Sequence, residues 1–246
     1  MPPRGGVTPT RPQAVAGAAV AEVVGTFMLT FSGTATLLAT HKLHPLAGMN
    51  EVAISLAFAL GTVAAIYVFA TVSGAHINPA VTVALATVRE FPWRMAPVYI
   101  VAQLIGATLA GLMNWFMFGS QLRTALALGA TKPGPGVGWG TALFTEIVIT
   151  AVLLVVVMAT AVYQRSPGGA LPAGLAIAFW IGAAIFLALP VSGGSLNPAR
   201  TLGPDIAAAS FPYWWVYLVG PVVGAVAGAA LWKFVLSKGQ LEQVTR

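Results

Sequence analysis

The sequence predicts an all-α membrane protein, six transmembrane helices plus two re-entrant half-helices in an inverted three-plus-three repeat. Three observations carry this. Of 246 residues, 58% are hydrophobic and only 7% charged, where soluble domains carry about 25% charged residues. Six apolar stretches, roughly 14–39, 50–72, 95–119, 139–163, 171–190 and 212–236, reach the ~20 residues that a helix needs to cross the hydrocarbon. Between the second and third, and between the fifth and sixth, lie two polar segments built alike, Ser73 to Thr82 and Ser192 to Asp205. Broken backbone at membrane depth is tolerated only where protein surrounds it or where it lines a water-filled cavity.

Taken in order, residues 1–13 form a Pro- and Arg-rich tail read as cytoplasmic, and the run that follows is long enough to be a span rather than a removable signal peptide. One domain covers 14–236, with a first repeat 14–119, a linker loop 120–138 and a second repeat 139–236; residues 237–246 are a second cytoplasmic tail. The linker ends in Lys132 to Gly138, rich in Pro and Gly, and reads as a flexible connection. Within each repeat an Asn-Pro-Ala triplet marks a helix start: Asn78 and Asn197 suit the N-cap, and Pro79 and Pro198 the first turn, where a missing N–H costs nothing. Ala80 and Ala199 complete the triplets.

Internal repetition supports the division. Glu22 matches Glu146 at an offset of 124, Asn78 matches Asn197 at 119, and Ala102, Gly106 and Ala110 match Gly220, Gly224 and Gly228 at 118. Small residues four apart let membrane helices approach closely. Three spans per half is an odd number, so the second half enters the membrane upside down and the two polar breaks face each other at the midplane.

Net charge is +6, but the twelve Lys and Arg are scattered singly, which excludes the basic stripe of a nucleic-acid binder. Their bias sets topology instead. Arg4, Arg11, Arg89, Arg94, Arg165, Lys238 and Arg246, with Lys233 at the last helix end, fall on one side and place both termini in the cytoplasm. Lys42, Arg123 and Lys132 remain outside. Without cysteine there is no disulfide framework or thiolate chemistry. His41 and His44 make a poor metal site and His76 reads as a loop pin. No nucleophile–base pair or phosphate-cradling loop is present, so no enzyme, cofactor or metal is expected.

Two half-helices meeting at the midplane point their positive dipole ends at one place, which repels cations and protons. Asn78 and Asn197 cap those ends and offer side-chain N–H donors to whatever passes. Arg200 is the costliest residue to explain otherwise, since a charge near the bilayer centre costs at least about 2.5–3.5 kcal/mol and marks a pathway. The alternative is that it snorkels to the outer interface. Glu22 and Glu146 are read as acceptors for backbone N–H groups of the re-entrant loops; the sharper alternative is a proton-coupled carrier.

With both triplets, the following Arg and the paired Glu residues, the chain resembles the aquaporin family, the major intrinsic proteins, over nearly all of 14–236. The resemblance implies a homotetramer with a pore through each subunit, passing water or small uncharged solutes across the membrane lipid. It implies pore-lining carbonyls at Gly74, Ala75, His76, Gly193, Gly194 and Ser195, and an outer constriction of Phe58, Ile185, Gly194 and Arg200. Strict water channels of the family usually have His where this chain has Ile185, and a larger or polar residue at Gly194, so the constriction is expected to be wider and less polar, with an empty volume opposite Phe58. The wording Ser-Gly-Ala-His-Ile-Asn-Pro-Ala-Val-Thr is similar to nodulin-like intrinsic proteins, and Tyr217-Leu218 also leans towards solute-conducting members. Against that, Thr201 stands where glycerol facilitators usually carry Asp. The reading is therefore a passive channel for water and glycerol-like polyols or metalloid hydroxides, with a strict water channel and an ion-coupled secondary transporter as rivals.

Overall fold

The computed structural model describes residues 12–43, 49–163 and 170–237. The tails up to residue 11 and from residue 238, and with them Arg4, Arg11, Lys238 and Arg246, lie outside the described residues, as do His44 and Arg165. The described chain forms eight α-helices: α1 Pro12–Leu43, α2 Met49–Phe69, α3 Pro79–Thr87, α4 Ala96–Leu126, α5 Trp139–Val157, α6 Ala170–Ala188, α7 Pro198–Ala208 and α8 Trp214–Leu231. Single π-turns extend α5 through Val162 and α8 through Leu236. Five helical stretches among the described residues are long and apolar enough to cross a membrane, and Ala173–Ala188 of α6 is a shorter apolar one. The short helices α3 and α7, of 9 and 11 residues, are the two half-spans.

Packing follows the repeat. α1 lies against α2 and α4 as α5 lies against α6 and α8; α7 packs on α4 as α3 packs on α8; α2 meets α6 across the divide, and α3 touches α7. The small-residue triplets make this possible. A methyl group on Gly106 of α4 would run into the carbonyl of Val23 on α1, and one on Gly224 of α8 into the carbonyl of Ile147 on α5. Those four positions are related by the sequence repeat, so this close helix crossing is made twice, once in each half.

The structure departs from the expected linker. The helix does not stop at residue 119: Gly119 adopts φ +77 and ψ 177, which breaks the direction of α4, and the chain then resumes helically to Leu126. Residues 120–126, Ser-Gln-Leu-Arg-Thr-Ala-Leu, contain good helix formers, and only a glycine takes that backbone conformation without strain. Arg123 folds back over the Trp115 ring at 4.2 Å. A tight turn, Ala127–Gly129, follows, and the extended remainder of the linker lies beside the second polar segment, with Gly134 N–H donating to the Val191 carbonyl at 2.9 Å.

Because these crossings have no room for added atoms, Gly106→Leu and Gly224→Leu should each destabilise the protein, at the roughly 1–3 kcal/mol typical of overpacking. Thermal unfolding in detergent micelles should show both melting temperatures lowered. Unchanged melting would mean the helices are not in backbone contact there.

Candidate functional site

The two polar segments, 73–78 and 192–197, adopt the same backbone twice. Gly74 and Gly193 have φ of +88 and +84, Ala75 and Gly194 +48 and +62, Ile77 and Leu196 +44 and +55. Three non-glycine residues in the left-handed region are costly, and such strain persists only when the surroundings over-determine it. A buried carboxylate does so in each half. Glu22 of α1 accepts from Ser73 Oγ at 2.7 Å and from the N–H groups of His76 and Ile77 at 2.9 and 2.7 Å. Glu146 of α5 accepts from Ser192 Oγ at 2.7 Å and from the N–H groups of Ser195 and Leu196 at 2.9 and 2.8 Å. Tyr99 and Tyr217 donate to the carbonyls of Ser73 and Ser192 at 2.8 and 2.7 Å. Both glutamates have no exposed surface.

Each segment then turns into its half-helix. Asn78 Oδ1 accepts from the Ala80 N–H at 2.9 Å, and Asn197 Oδ1 from Ala199 and Arg200 at 3.0 and 3.4 Å, with Pro79 and Pro198 as the first helical residues. The amide nitrogens cross the divide: Asn78 Nδ2 donates to the Leu196 carbonyl and Asn197 Nδ2 to the Ile77 carbonyl, both at 2.8 Å. The two positive helix ends are thereby fixed N-terminus to N-terminus. An amide nitrogen carries two hydrogens, and one on each is committed to the opposite loop.

Along the first segment runs a cavity of about 290 Å³, walled by Leu29, Ile66, Leu153, Val157, Ile177 and Ile181 and flanked by Gly74 to Asn78. Its surface is mostly apolar apart from that strip. Glu90 also borders it, accepting from Tyr163 and Lys233, at 2.8 and 2.7 Å.

Beyond the meeting point, Arg200 is 1% exposed, donates from Nη1 to the Gly129 carbonyl at 2.7 Å, and sets its guanidinium 4.7 Å from the Phe58 ring centre. Phe58 and Ile185 are buried to the same degree.

The family model described as "Major intrinsic protein" matches residues 10–232. The chain belongs to this family. It is 41% identical over 235 residues to the probable aquaporin AqpM of Archaeoglobus fulgidus, covering 87% of this chain and 95% of that one. It is 39% identical over 215 residues to the aquaporin NIP3-1 of Oryza sativa subsp. japonica, covering 87% and 67%. The X-ray structure of the aquaglyceroporin from Plasmodium falciparum superposes with a TM-score of 0.81 at 25% identity, over 91% of this chain and 98% of that one. This major intrinsic protein is thus an integral membrane channel of aquaporin type, not an enzyme.

Of the residues singled out in its sequence, the structure joins Asn78 to the Leu196 carbonyl and Asn197 to the Ile77 carbonyl, sets Pro79, Ala80, Pro198 and Ala199 in the helical turns that follow, and brings Glu22 and Glu146 against the segments they were paired with. It sets Arg200 over Phe58, and Gly194 against Ile185. Gly74, Ala75 and His76 border the cavity, whereas Gly193 and Ser195 do not. The imidazole of His76 is held by Thr82 Oγ1 at 3.1 Å and by the edges of Phe91 and Tyr99. At Gly194 the direction a side chain would take is closed by Ile185. A methyl group there would lie 3.0 Å from Ile185 Cα, and its φ of +62 disfavours any larger residue.

Several participants escaped sequence reasoning. Ser73 and Ser192, at matching places before each Asn, were a signal available in the repeat. Gln103 was not, because its repeat partner is Pro221; it donates to Glu22 and Thr82 at 2.7 and 3.1 Å. Thr201, noted only for not being Asp, bonds Ser195 and Thr131 and so ties the linker to the second segment. Asp205 of α7 is fully buried, and neither of its oxygens has a partner among the described residues.

Glu22→Leu and Glu146→Leu each strand two backbone N–H groups, at roughly 1–3 kcal/mol apiece. Folded yield and melting temperature should fall in both variants. A Glu22→Leu protein with normal melting whose transport loses only its pH dependence would instead mark Glu22 as a proton carrier.

Proposed function

We propose that the chain is a passive pore for water and small uncharged solutes, glycerol-like polyols or metalloid hydroxides, that excludes ions and protons. The observation that carries this is a buried, fixed cation, Arg200, held over the Phe58 ring; with Gly194 packed against the apolar Ile185, we take these four residues as the constriction. In such channels the lining groups and width decide what passes. An apolar wall facing a guanidinium suits a solute with a carbon face and a hydroxyl edge. A fixed cation, followed by two positive helix ends, repels cations and hydronium. The apolar cavity beyond offers carbonyls along one side only, matching the same two-faced solute. The aquaglyceroporin name of the structural neighbour and the NIP names among the relatives agree with this reading.

The same reading takes Gly74, Ala75, His76, Gly193, Gly194 and Ser195 as carbonyl-bearing path positions, Glu22 and Glu146 as loop holders, and the assembly as a homotetramer with both termini cytoplasmic. The carboxylates weigh against the carrier rival. Each Glu22 oxygen already accepts two hydrogen bonds, so carrying a proton would disrupt the contacts that hold the loop.

Stopped-flow swelling of vesicles containing the protein tests the reading. The parent protein should pass glycerol as well as water, without an ion gradient. Ile185→His narrows and polarises the constriction and should lower the glycerol-to-water permeability ratio by about tenfold, the low end of the discrimination a change in pocket shape supplies. Parent vesicles that pass water but no glycerol would establish the strict water channel; solute flux that needs a proton or sodium gradient would establish the carrier. Separately, Arg200→Ala should raise proton leak per unit water flux while the fold is kept. Unchanged leak would show that Arg200 does not face the path.

A further inference from the structure

We infer that Thr34 of α1 and Asn114 of α4 are positioning residues for Arg200, acting through the turn that supplies the Gly129 carbonyl. The guanidinium's one hydrogen-bond acceptor among the described residues is that carbonyl. The turn presenting it is improbable by itself: Ala127, Leu128 and Gly129 all have positive φ, +45, +54 and +86. Two successive non-glycine residues in that region cost about 1–2 kcal/mol each, so something outside the turn must hold it.

Two things do. Leu128 is fully buried beside Ala207 and Ala208 of α7. Beneath Gly129 lies Thr34, so close that a methyl group on the glycine would come 2.8 Å from Thr34 Cβ. Thr34 is in turn locked. Its hydroxyl donates to the Thr30 carbonyl at 2.6 Å, which spends its single hydrogen, and its oxygen therefore accepts from Asn114 Nδ2 at 2.7 Å. Both side chains are fully buried. A chain of contacts runs from Asn114 through Thr34 and Gly129 to Arg200.

The repeat shows that this is particular to one side. The positions related to Thr30, Thr34 and Asn114 by the same offsets are Leu154, Met158 and Trp232, all apolar or aromatic. Glu22 and Glu146 are kept alike on the same two helices, yet two turns further on the match is abandoned. The polar version occurs only in the half that contacts Arg200's turn. A purely packing role would be filled as well by the apolar version, as it is in the other half.

This inference rests on the reading that Arg200 guards the path, and the test separates the two. Thr34→Val keeps the shape and removes the hydroxyl; Asn114→Leu removes the donor and leaves Thr34 intact. In vesicles of the full chain, each should raise the ratio of proton leak to water permeability by about threefold or more, a modest coupling for neighbouring positions. Combined with Arg200→Ala, neither should add to what that change does alone. Thr34→Ser, which keeps the hydroxyl, should restore the parent ratio. If Arg200→Ala raises the leak while Thr34→Val and Asn114→Leu leave it unchanged, or add to it in full, the positioning role is wrong. If Arg200→Ala itself changes nothing, the reading of Arg200 fails first. Should Thr34→Val fold poorly, Asn114→Leu and Thr34→Ser decide the matter alone.

Discussion

Two buried carboxylates make the rest of this structure possible. A chain that turns back at the middle of a membrane exposes N–H and C=O groups where no lipid can satisfy them, and each unmet group is expensive. Glu22 and Glu146 answer this by accepting two backbone N–H groups and a serine hydroxyl each, from helices that lie behind the loops rather than in them. With those amides turned towards the carboxylates, the strained left-handed residues of both segments become the affordable conformation, and the segments' carbonyls are left to face elsewhere. The Asn78 and Asn197 amides then tie loop to loop across the divide.

From that constraint the division of labour follows. The scaffold is two-fold: same carboxylate, same serine, same tyrosine, same cap and same glycine crossing in each half. The halves differ in the polar groups they add to that frame. The second half carries Arg200, set over Phe58 and bonded to the Gly129 carbonyl; along the first segment runs an apolar cavity bordered by Glu90, which Tyr163 and Lys233 hold. A symmetric frame with unlike mouths is consistent with a narrow selective end and a wider end.

Much of this was legible in the residues because it depends on local rules or on repetition. Asn-Pro before an apolar run specifies a capped helix start whatever surrounds it, and two buried glutamates at a matching offset have few uses other than a shared one. The small-residue triplets announced the helix crossings. Less legible were features set by tertiary approach. Nothing in Gly194 alone says that Ile185 fills the space beside it, and nothing in Gly129 says that its carbonyl meets an arginine 71 residues later. The helical stretch after Gly119 was hidden because glycine, proline and polar residues around it read as a loop, while the seven residues between them favour helix. Gln103 and Asn114 were hidden for the opposite reason: they break the repeat, and a search for matching positions passes over them.

The central claim is that the carboxylates hold the re-entrant backbone, so the most direct measurement is amide hydrogen exchange, resolved by residue, on the full chain in lipid bilayers. The amides of His76, Ile77, Ser195 and Leu196 lie in irregular backbone near a path for water, yet each donates to a buried carboxylate. The account predicts that they exchange as slowly as the amides inside α1 and α5. Exchange as fast as that of an open loop at these four residues, in a protein whose helices stay protected, would contradict it.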